Sequence, residues 1–318
     1  MYQADPTSMW GLLRDVIIEK VNKGVLTCPM PLEHLYETTG RSDKGSDGGK
    51  NIEYSNKISQ QHDFFCQIAK GKSFYGYEVI AATEIMMLLK QGKVNLMEAM
   101  YFHKAYYSQI NIQDIYEEAH SFNQDNHEHS QDLFQGTNQL RETTKPLNDN
   151  LRYSKKDNSD PLLLKVLIRL QVSKYIEGLN DFLKKEYVKV RGVQCGSYML
   201  PNKVDCLIFN LTKKRIDKKN TEKLIHELEV HGFDRIPSMN IRSLLSADIA
   251  LYDKQQTPND EIDIDRAAVG LRISDYFFAD TEKMLAIQKY GLDKQYRTKI
   301  YSGKKPSVKS LIEELSRL

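Results

Sequence analysis

The chain has 318 residues, of which 28% are charged and 40% are hydrophobic, so its composition is that of a globular protein rather than of a fibrous or wholly disordered one. Its net charge is only +2, and any attraction to nucleic acid or to a membrane must therefore come from a local surface. The four cysteines form no Cys-x-x-Cys pair, which excludes the motifs of a zinc ribbon and of a redox dithiol. We expect one large or two ordinary domains in a reducing compartment.

The sequence predicts no membrane contact. The most apolar stretch, Leu162 to Leu170, is too short to cross a bilayer and contains Lys165 and Arg169. The opening residues lack the basic region and the apolar core of a signal peptide, and they already include Asp5. We therefore expect a soluble, cytoplasmic protein.

The first predicted elements are a short strand end at MYQAD and an amphipathic helix from Trp10 to Lys23, with Gly24 as its stop. A short apolar run, Val25 to Cys28, follows. The prolines after it are typical of the entry to a second helix, which carries Glu33 and Glu37. A glycine-rich loop then begins at about residue 40.

The middle of the chain, residues 51–190, has a mostly helical pattern. The clearest helices are Tyr77 to Lys90 and Pro161 to Val190. Between them, Ser121 to Asp160 is rich in polar residues and is predicted to be a long loop or a partly disordered segment. The apolar run 204–210, VDCLIFN, fits either a strand or a buried helix.

A strongly basic segment, LTKKRIDKKNTEK, covers residues 211–223. It fits a solvated helix or loop face, and it also fits a surface that touches phosphates without reading base sequence. The HELEVH sequence, from His226 to His231, follows the basic segment and resembles a zinc-protease motif. Its histidines are five residues apart, however, and cannot share one helix face. The candidate nucleic-acid-binding residues of the basic segment are Lys213, Lys214, Arg215, Lys218 and Lys219.

The C-terminal part alternates between helices and short apolar runs that predict strands. This alternation predicts parallel strands joined by crossover helices, and the head of the chain has the same rhythm. Both ends therefore fit one α/β layer that a large, mainly helical insertion interrupts. The predicted elements are helix Ile241–Tyr252, a helix that starts in the acidic segment after Pro258, strand Tyr276–Ala279, helix Thr281–Tyr290, strand Thr298–Tyr301 and helix Pro306–Leu318.

Acidic residues flank the first of these strands. Asp260 and Asp263 lie at the start of the Ala-rich helix pattern, and Asp280 directly follows the strand. In an open α/β sheet, ligands gather at the carboxyl ends of the strands, where carboxylates can hold Mg²⁺ or Mn²⁺. Each acid also has an ordinary alternative: the three aspartates can cap helix N-termini, and Glu37 or Asp265 can be solvated surface acids.

Three segments resemble the PIN-like nuclease family. NDEIDIDRAAVGLRISDYFFAD is similar to the family's pattern of an Asp that opens an Ala-rich helix and a second Asp after the next strand. GVLTCPMPLEHLYETTG is similar to its acid-bearing helix, with Glu37 as the best match and Glu33 as the runner-up. ADPTSMWGLL resembles the end of the opening strand, with its acid at Asp5.

The resemblance covers residues 1–40 and 235–318 as a discontinuous PIN-like domain, with residues 41–234 as the insertion. It implies a small parallel sheet flanked by helices and a metal-dependent endonuclease, most simply an endoribonuclease. It implies RNA as the partner. Two alternatives remain open: an inactive PIN-like scaffold that binds nucleic acid or protein, and a purely helical interaction protein. The resemblance implies that Mg²⁺ or Mn²⁺ is held by Asp263, Asp280, Glu37 and Asp5, with Asp260 as an auxiliary acid.

Overall fold

The structure is a computed structural model, and it describes residues 5–30, 60, 63–72, 74–95, 161–184, 203–251 and 258–318. The chain forms two compact units. Among the described residues, the first contains 5–75 and Ile273–Leu318, and we call it the sheet unit. The second contains 76–95 and 161–272, and we call it the helical unit. The units thus divide after Arg272, whereas the family resemblance divides the chain near residue 235.

The sheet unit combines one small sheet with helices at both ends of the chain. Residues 63–69 form a further short helix, which lies between the N-terminal and the C-terminal helices in chain order. Its remaining elements are α1 (Met9–Asn22), β1 (Tyr276–Phe278), α8 (Thr281–Lys289), α9 (Leu292–Tyr296), β2 (Lys299–Tyr301) and α10 (Lys305–Ser316).

The two strands of the sheet unit are parallel, as the sequence predicted. Tyr276 pairs with Lys299, and Phe278 pairs with Tyr301. The chain connects them through α8 and α9, because parallel neighbours cannot be joined by a tight hairpin. Together with its flanking helices, this pair is compatible with an α/β architecture, and it contradicts the reading of the chain as a purely helical protein.

The core of the sheet unit lies where α1 and α10 pack on β2. Leu13 from α1 and Tyr301 from β2 are buried with three apolar residues of α10. Those three, Val308, Leu311 and Leu315, repeat at the three-to-four-residue spacing of one helix face. The first and last helices of the chain are therefore held together by burial of their apolar faces.

The helical unit is built on α2, which is buried on nearly every side. Ile80, Ala81 and Ile85 are fully buried, as expected for a helix that is apolar all round. The run 204–210 is a helix and not a strand. The elements of this unit are α2 (Tyr77–Gln91), α3 (Pro161–Leu183), α4 (Lys203–Lys213), α5 (Lys218–His231), α6 (Pro237–Leu251) and α7 (Pro258–Gly270).

Two helices of this unit approach each other closely at a glycine. A Cβ atom added to Gly178 of α3 would overlap Cγ1 of Val204 in α4, and it would lie 3.4 Å from Cδ1 of Ile208. The missing side chain thus permits the close crossing of α3 and α4. Within the described part of the chain, none of the helices combines the length and apolarity that a bilayer-spanning segment requires.

Candidate functional site

Asp280 lies at the carboxyl end of the parallel sheet. It follows β1 after one residue, Ala279, whose N–H donates to the carbonyl of Tyr301 at 2.9 Å. The Asp280 side chain caps α8 by accepting a hydrogen bond from the N–H of Lys283 at 2.6 Å. The helix-cap alternative for Asp280 is therefore present in the structure. It occupies Oδ1, and Oδ2 makes no hydrogen bond to the described residues.

Asp5 forms a tight turn in front of α1. Its Oδ1 accepts hydrogen bonds from the backbone N–H of Thr7 at 2.8 Å and from the Thr7 hydroxyl at 2.7 Å. These hydrogen bonds lower the pKa of Asp5, because they stabilise the carboxylate. The hydroxyl of Ser8 donates to the Asp5 carbonyl at 2.6 Å, and Ser8 also caps α1 through the N–H of Gly11. The turn that precedes α1 thus contains an ionised Asp5 carboxylate.

The first turn of α1 contacts both the turn of Asp5 and the last residue of β1. Gly11 in the first turn of α1 has no room for a Cβ, because the Asp5 carbonyl occupies that space. Trp10 in the same turn contacts Phe278, the last residue of β1, with ring centroids 5.8 Å apart in an edge-to-face arrangement. The first turn of α1, on which the Asp5 carbonyl packs, therefore contacts the last residue of β1.

Asp260 and Asp263 belong to α7 in the helical unit. Because α7 begins at Pro258, Asp263 lies in its second turn and does not cap it, contrary to the capping alternative. Its Oδ1 accepts from Arg266 at 3.1 Å, one turn along the helix. Asp260 is in the first turn, where an acid favours the helix dipole, and it is only 8% exposed.

The expectation that Asp265 is a surface acid is wrong. Asp265 is 6% exposed and belongs to a cluster of charges between α2, α4, α6 and α7. Lys203 Nζ lies 2.5 Å from Asp265 Oδ2 and 2.5 Å from Glu78 Oε1. Arg242 binds Asp265 Oδ1 at 2.8 Å and also binds Glu261. Asp265 points inward because it sits on the helix face opposite Asp263.

The charges of this cluster hold one another ionised. Burial raises the pKa of Asp265, but Lys203 and Arg242 outweigh it, and the net pKa is lowered. Burial lowers the pKa of Lys203, but the carboxylates of Asp265 and Glu78 outweigh burial, and the net pKa is raised. Both cations also approach the ring of Tyr77, to 5.6 Å and 5.4 Å. The cluster binds four helices to one another and does not offer an open metal site.

A second buried pair joins α2 to the end of α7. Glu84 and Arg272 are fully buried side chains whose Oε1 and Nη1 atoms are 3.1 Å apart. Oε2 of Glu84 accepts from the N–H and the hydroxyl of Ser238, at 2.9 and 2.6 Å, at the start of α6. Sequence reasoning missed this pair. Its only signal was a glutamate in the apolar run YEVIAATEIMMLLK, where a charge requires a buried partner.

Of the five predicted metal ligands, the described residues place Asp5 and Asp280 in the sheet unit, and Asp260 and Asp263 in the helical unit. Glu37, and its runner-up Glu33, lie outside the described residues. Within the described ranges, no three Asp, Glu, His or Cys side chains converge as they would around a metal ion. The complete ligand set stays a prediction.

The five candidate basic residues surround the connection between α4 and α5. Lys213 ends α4, Lys214 and Arg215 form the turn, and Lys218 and Lys219 open α5. All are exposed except Lys214, which is half-buried. His226 and His231 are exposed on α5, and neither belongs to a metal-binding group in the described part of the chain.

Comparison with known proteins gives no relative: no family model, no curated protein and no solved structure matches this chain.

Proposed function

We propose that this protein is a divalent-metal-dependent endonuclease of the PIN-like type that hydrolyses RNA. The observation that carries the proposal is the parallel pairing of β1 and β2, with Asp280 at the carboxyl end of β1 and at the N-terminus of α8. This arrangement supports the predicted strand–acid–helix pattern. The edge beyond the carboxyl ends of parallel strands is where α/β proteins bind their ligands.

The available donor atoms suit a hard cation. Asp280 and Asp5 each use Oδ1 for a local hydrogen bond, and their Oδ2 atoms make no hydrogen bond to the described residues. Carboxylate oxygens are the ligands that Mg²⁺ and Mn²⁺ prefer. In this proposal Asp280, Asp5, Asp263 and Glu37 hold the ion, with Asp260 as an auxiliary acid. When bound, the ion supplies an activated water and stabilises the leaving oxygen.

The chain's own contribution to this chemistry is positioning. The N-terminus of α8 fixes the Asp280 side chain, because its Oδ1 is held by the N–H of Lys283. The Thr7 contacts fix Asp5 in its ionised state, since they lower its pKa. Both carboxylates are thus oriented before any ion or substrate arrives.

The second candidate is an inactive PIN-like scaffold that binds nucleic acid or protein. It is favoured by the partners that the acids already have: Asp5 binds Thr7, Asp280 caps α8 and Asp263 pairs with Arg266. In a scaffold these contacts are the whole role of the acids, and no ion is required.

Cleavage of a mixed pool of RNA and DNA in Mn²⁺ distinguishes the two candidates. The Asp280→Asn variant keeps the helix cap, because Asn is as good an N-cap as Asp, but it removes a charged ligand. We expect cleavage to fall by at least about a hundredfold, the effect of losing an electrostatic contact made in the transition state. Asp263→Asn tests the second aspartate in the same way.

The matched control is Asp217→Asn. Asp217 caps α5 through the N–H of Asn220 at 2.7 Å, the same kind of contact that Asp280 makes at α8. Its substitution carries the same loss of charge at a helix cap outside the proposed metal ligands, so cleavage should not fall. Cleavage that survives both Asp280→Asn and Asp263→Asn, or no cleavage by the wild type, would leave the scaffold as the better explanation.

A further inference from the structure

One end of the helical unit concentrates positive charge. We call it the basic end. It consists of two segments: 89–93 at the end of α2, and 213–223, which runs from the last residue of α4 into α5. Together they contain eight cations and two acids, whereas the whole chain has a net charge of only +2. The cations are Lys90, Lys93, Lys213, Lys214, Arg215, Lys218, Lys219 and Lys223.

Tertiary contacts join the two segments. Lys223 Nζ donates to the carbonyl of Leu89 at 2.8 Å, and Arg235 Nη2 donates to the carbonyl of Gly92 at 2.5 Å. These bonds hold the C-terminal end of α2 against α5 and against the segment that follows α5. Lys214 is close enough to Lys90 that burial and the neighbouring charge together lower its pKa. The cations therefore form one surface, although more than a hundred residues separate the segments in sequence.

The two acids of the basic end offset only two of its eight positive charges. Asp217 uses its carboxylate to cap α5. Glu222 is 3.8 Å from Lys218, and both side chains are more than half exposed, so this pair is weak. Among the described residues, no other salt bridge reaches the eight cations. The surface keeps a strong positive field.

Packing does not account for this arrangement. Cations at the ends of α2 and α4 favour the helix dipole, which explains Lys90 and Lys213. Lys218 and Lys219, however, open α5, where the dipole disfavours positive charge. Arg215 has φ of 58°, in the left-handed region that favours glycine. Three cations thus occupy positions at which they lower stability.

An exposed aromatic ring accompanies these cations. Phe209 of α4 is 46% exposed, and Lys213 Nζ lies 4.3 Å from the centroid of its ring. A ring of this kind beside a row of cations is the combination with which proteins hold single-stranded nucleic acids: the cations bind phosphates and the ring stacks on a base.

We propose that the basic end is a docking surface for single-stranded nucleic acid, with phosphates on its lysines and on Arg215 and a base stacked against Phe209. The choice of nucleic acid over another polyanion rests on the proposed function. The positive charge of the surface and the exposed ring of Phe209 are observed in the structure and do not depend on that proposal. The segments of this surface, 89–93 and 213–223, lie outside the residues that the family resemblance covers, and the surface binds the strand without cleaving it.

The test is fluorescence anisotropy of a labelled single-stranded RNA about 20 nucleotides long, enough to span one or two binding sites, with the full-length protein in EDTA. The first variant is Lys90→Gln/Lys214→Gln/Arg215→Gly, in which the glycine suits the left-handed turn and keeps the fold. We expect its affinity to fall at least about tenfold, and the slope of log affinity against log salt to become shallower by about 2, because each lost phosphate contact contributes about 0.7.

The second variant is Phe209→Ala, which removes the ring and keeps every charge. We expect its affinity to fall about fivefold to a hundredfold, the effect of one lost stacking contact, with an unchanged salt slope. The charge-matched control, Lys165→Gln/Lys174→Gln/Lys184→Gln, removes three exposed lysines of the same unit and should bind as the wild type does.

Three results would overturn the proposal: wild-type protein that does not bind the RNA, a control that weakens as much as the first variant, or preferential binding to phosphatidylserine vesicles. Because EDTA prevents metal-dependent cleavage, the outcome is separate from that of the nuclease assay. RNA binding that is lost in these variants but kept in Asp280→Asn supports the docking surface even where no cleavage is found.

Discussion

Replacing Glu84 by Met is expected to destabilise the protein by about 3–5 kcal/mol, because it removes the carboxylate that faces the buried charge of Arg272. Neither side chain of this pair is exposed to solvent, and their charged atoms are 3.1 Å apart. Met fills a similar volume, so a cavity contributes little. The substitution also deprives the Ser238 N–H and hydroxyl of their acceptor at the start of α6.

The magnitude follows from the geometry. Two unit charges 3.1 Å apart attract by about 5 kcal/mol at an effective dielectric constant of about 20. Burial offsets much of this in the intact pair, but a single substitution loses the attraction while the other charge stays buried. In the double variant Glu84→Met/Arg272→Met no buried charge remains, and the cost should drop to about 1–3 kcal/mol for the donors of Ser238.

Urea denaturation followed by far-ultraviolet circular dichroism measures these free energies of unfolding as a double-mutant cycle. The control is Glu177→Met on the exposed face of α3, which should change stability by less than about 0.5 kcal/mol. A double variant as unstable as the sum of the two single variants would refute the reasoning, since it would mean that the two charges do not interact.

The pH dependence gives an independent check. In the wild type, burial outweighs Arg272 and Ser238 and raises the pKa of Glu84. Stability from this group is therefore fully present below the usual glutamate pKa and is lost as pH rises through the raised value. Removing Arg272 raises that pKa further, so Arg272→Met should be least destabilising at acid pH. The loss of stability in Glu84→Met should not become smaller at acid pH, because the buried Arg272 stays charged there.

Two further predictions concern single sites. Gly178→Ala should destabilise the protein by about 1–3 kcal/mol despite the better helix propensity of Ala, because its Cβ overlaps Val204. Adding Val204→Ala should recover part of this loss in urea denaturation. Full stability of Gly178→Ala alone would show that α3 and α4 are not packed so closely. Burial raises the pKa of Cys28 to about 11, so at pH 8 its thiolate fraction should be about two hundredfold below that of a free thiol. Its rate with a disulfide reagent, in a variant whose other cysteines are Ser, should be at least about tenfold below that of a free thiol, because a more basic thiolate is also more nucleophilic. A rate equal to that of a small-molecule thiol would contradict this.

Local patterns in the sequence predicted most of the described elements. The apolar spacing of Trp10–Lys23 and Tyr77–Lys90 predicted α1 and α2 within a residue or so at each end. The alternation in the tail predicted both strands and their parallel direction, because a helix between two strands leaves few other connections. The short helix α9 was not predicted, since a single turn has too little periodicity to be recognised.

What the sequence alone determined is therefore local: the strongly periodic helices, the two strands of the tail and the acid that follows the first of them. Tertiary structure decided which charges meet. Asp265 became a buried partner of Lys203 and Arg242, and the basic segment gained Lys90 from another helix. Such pairings join residues far apart in the chain, and no periodicity records them, because they depend on which helix faces are brought together when the apolar surfaces are buried.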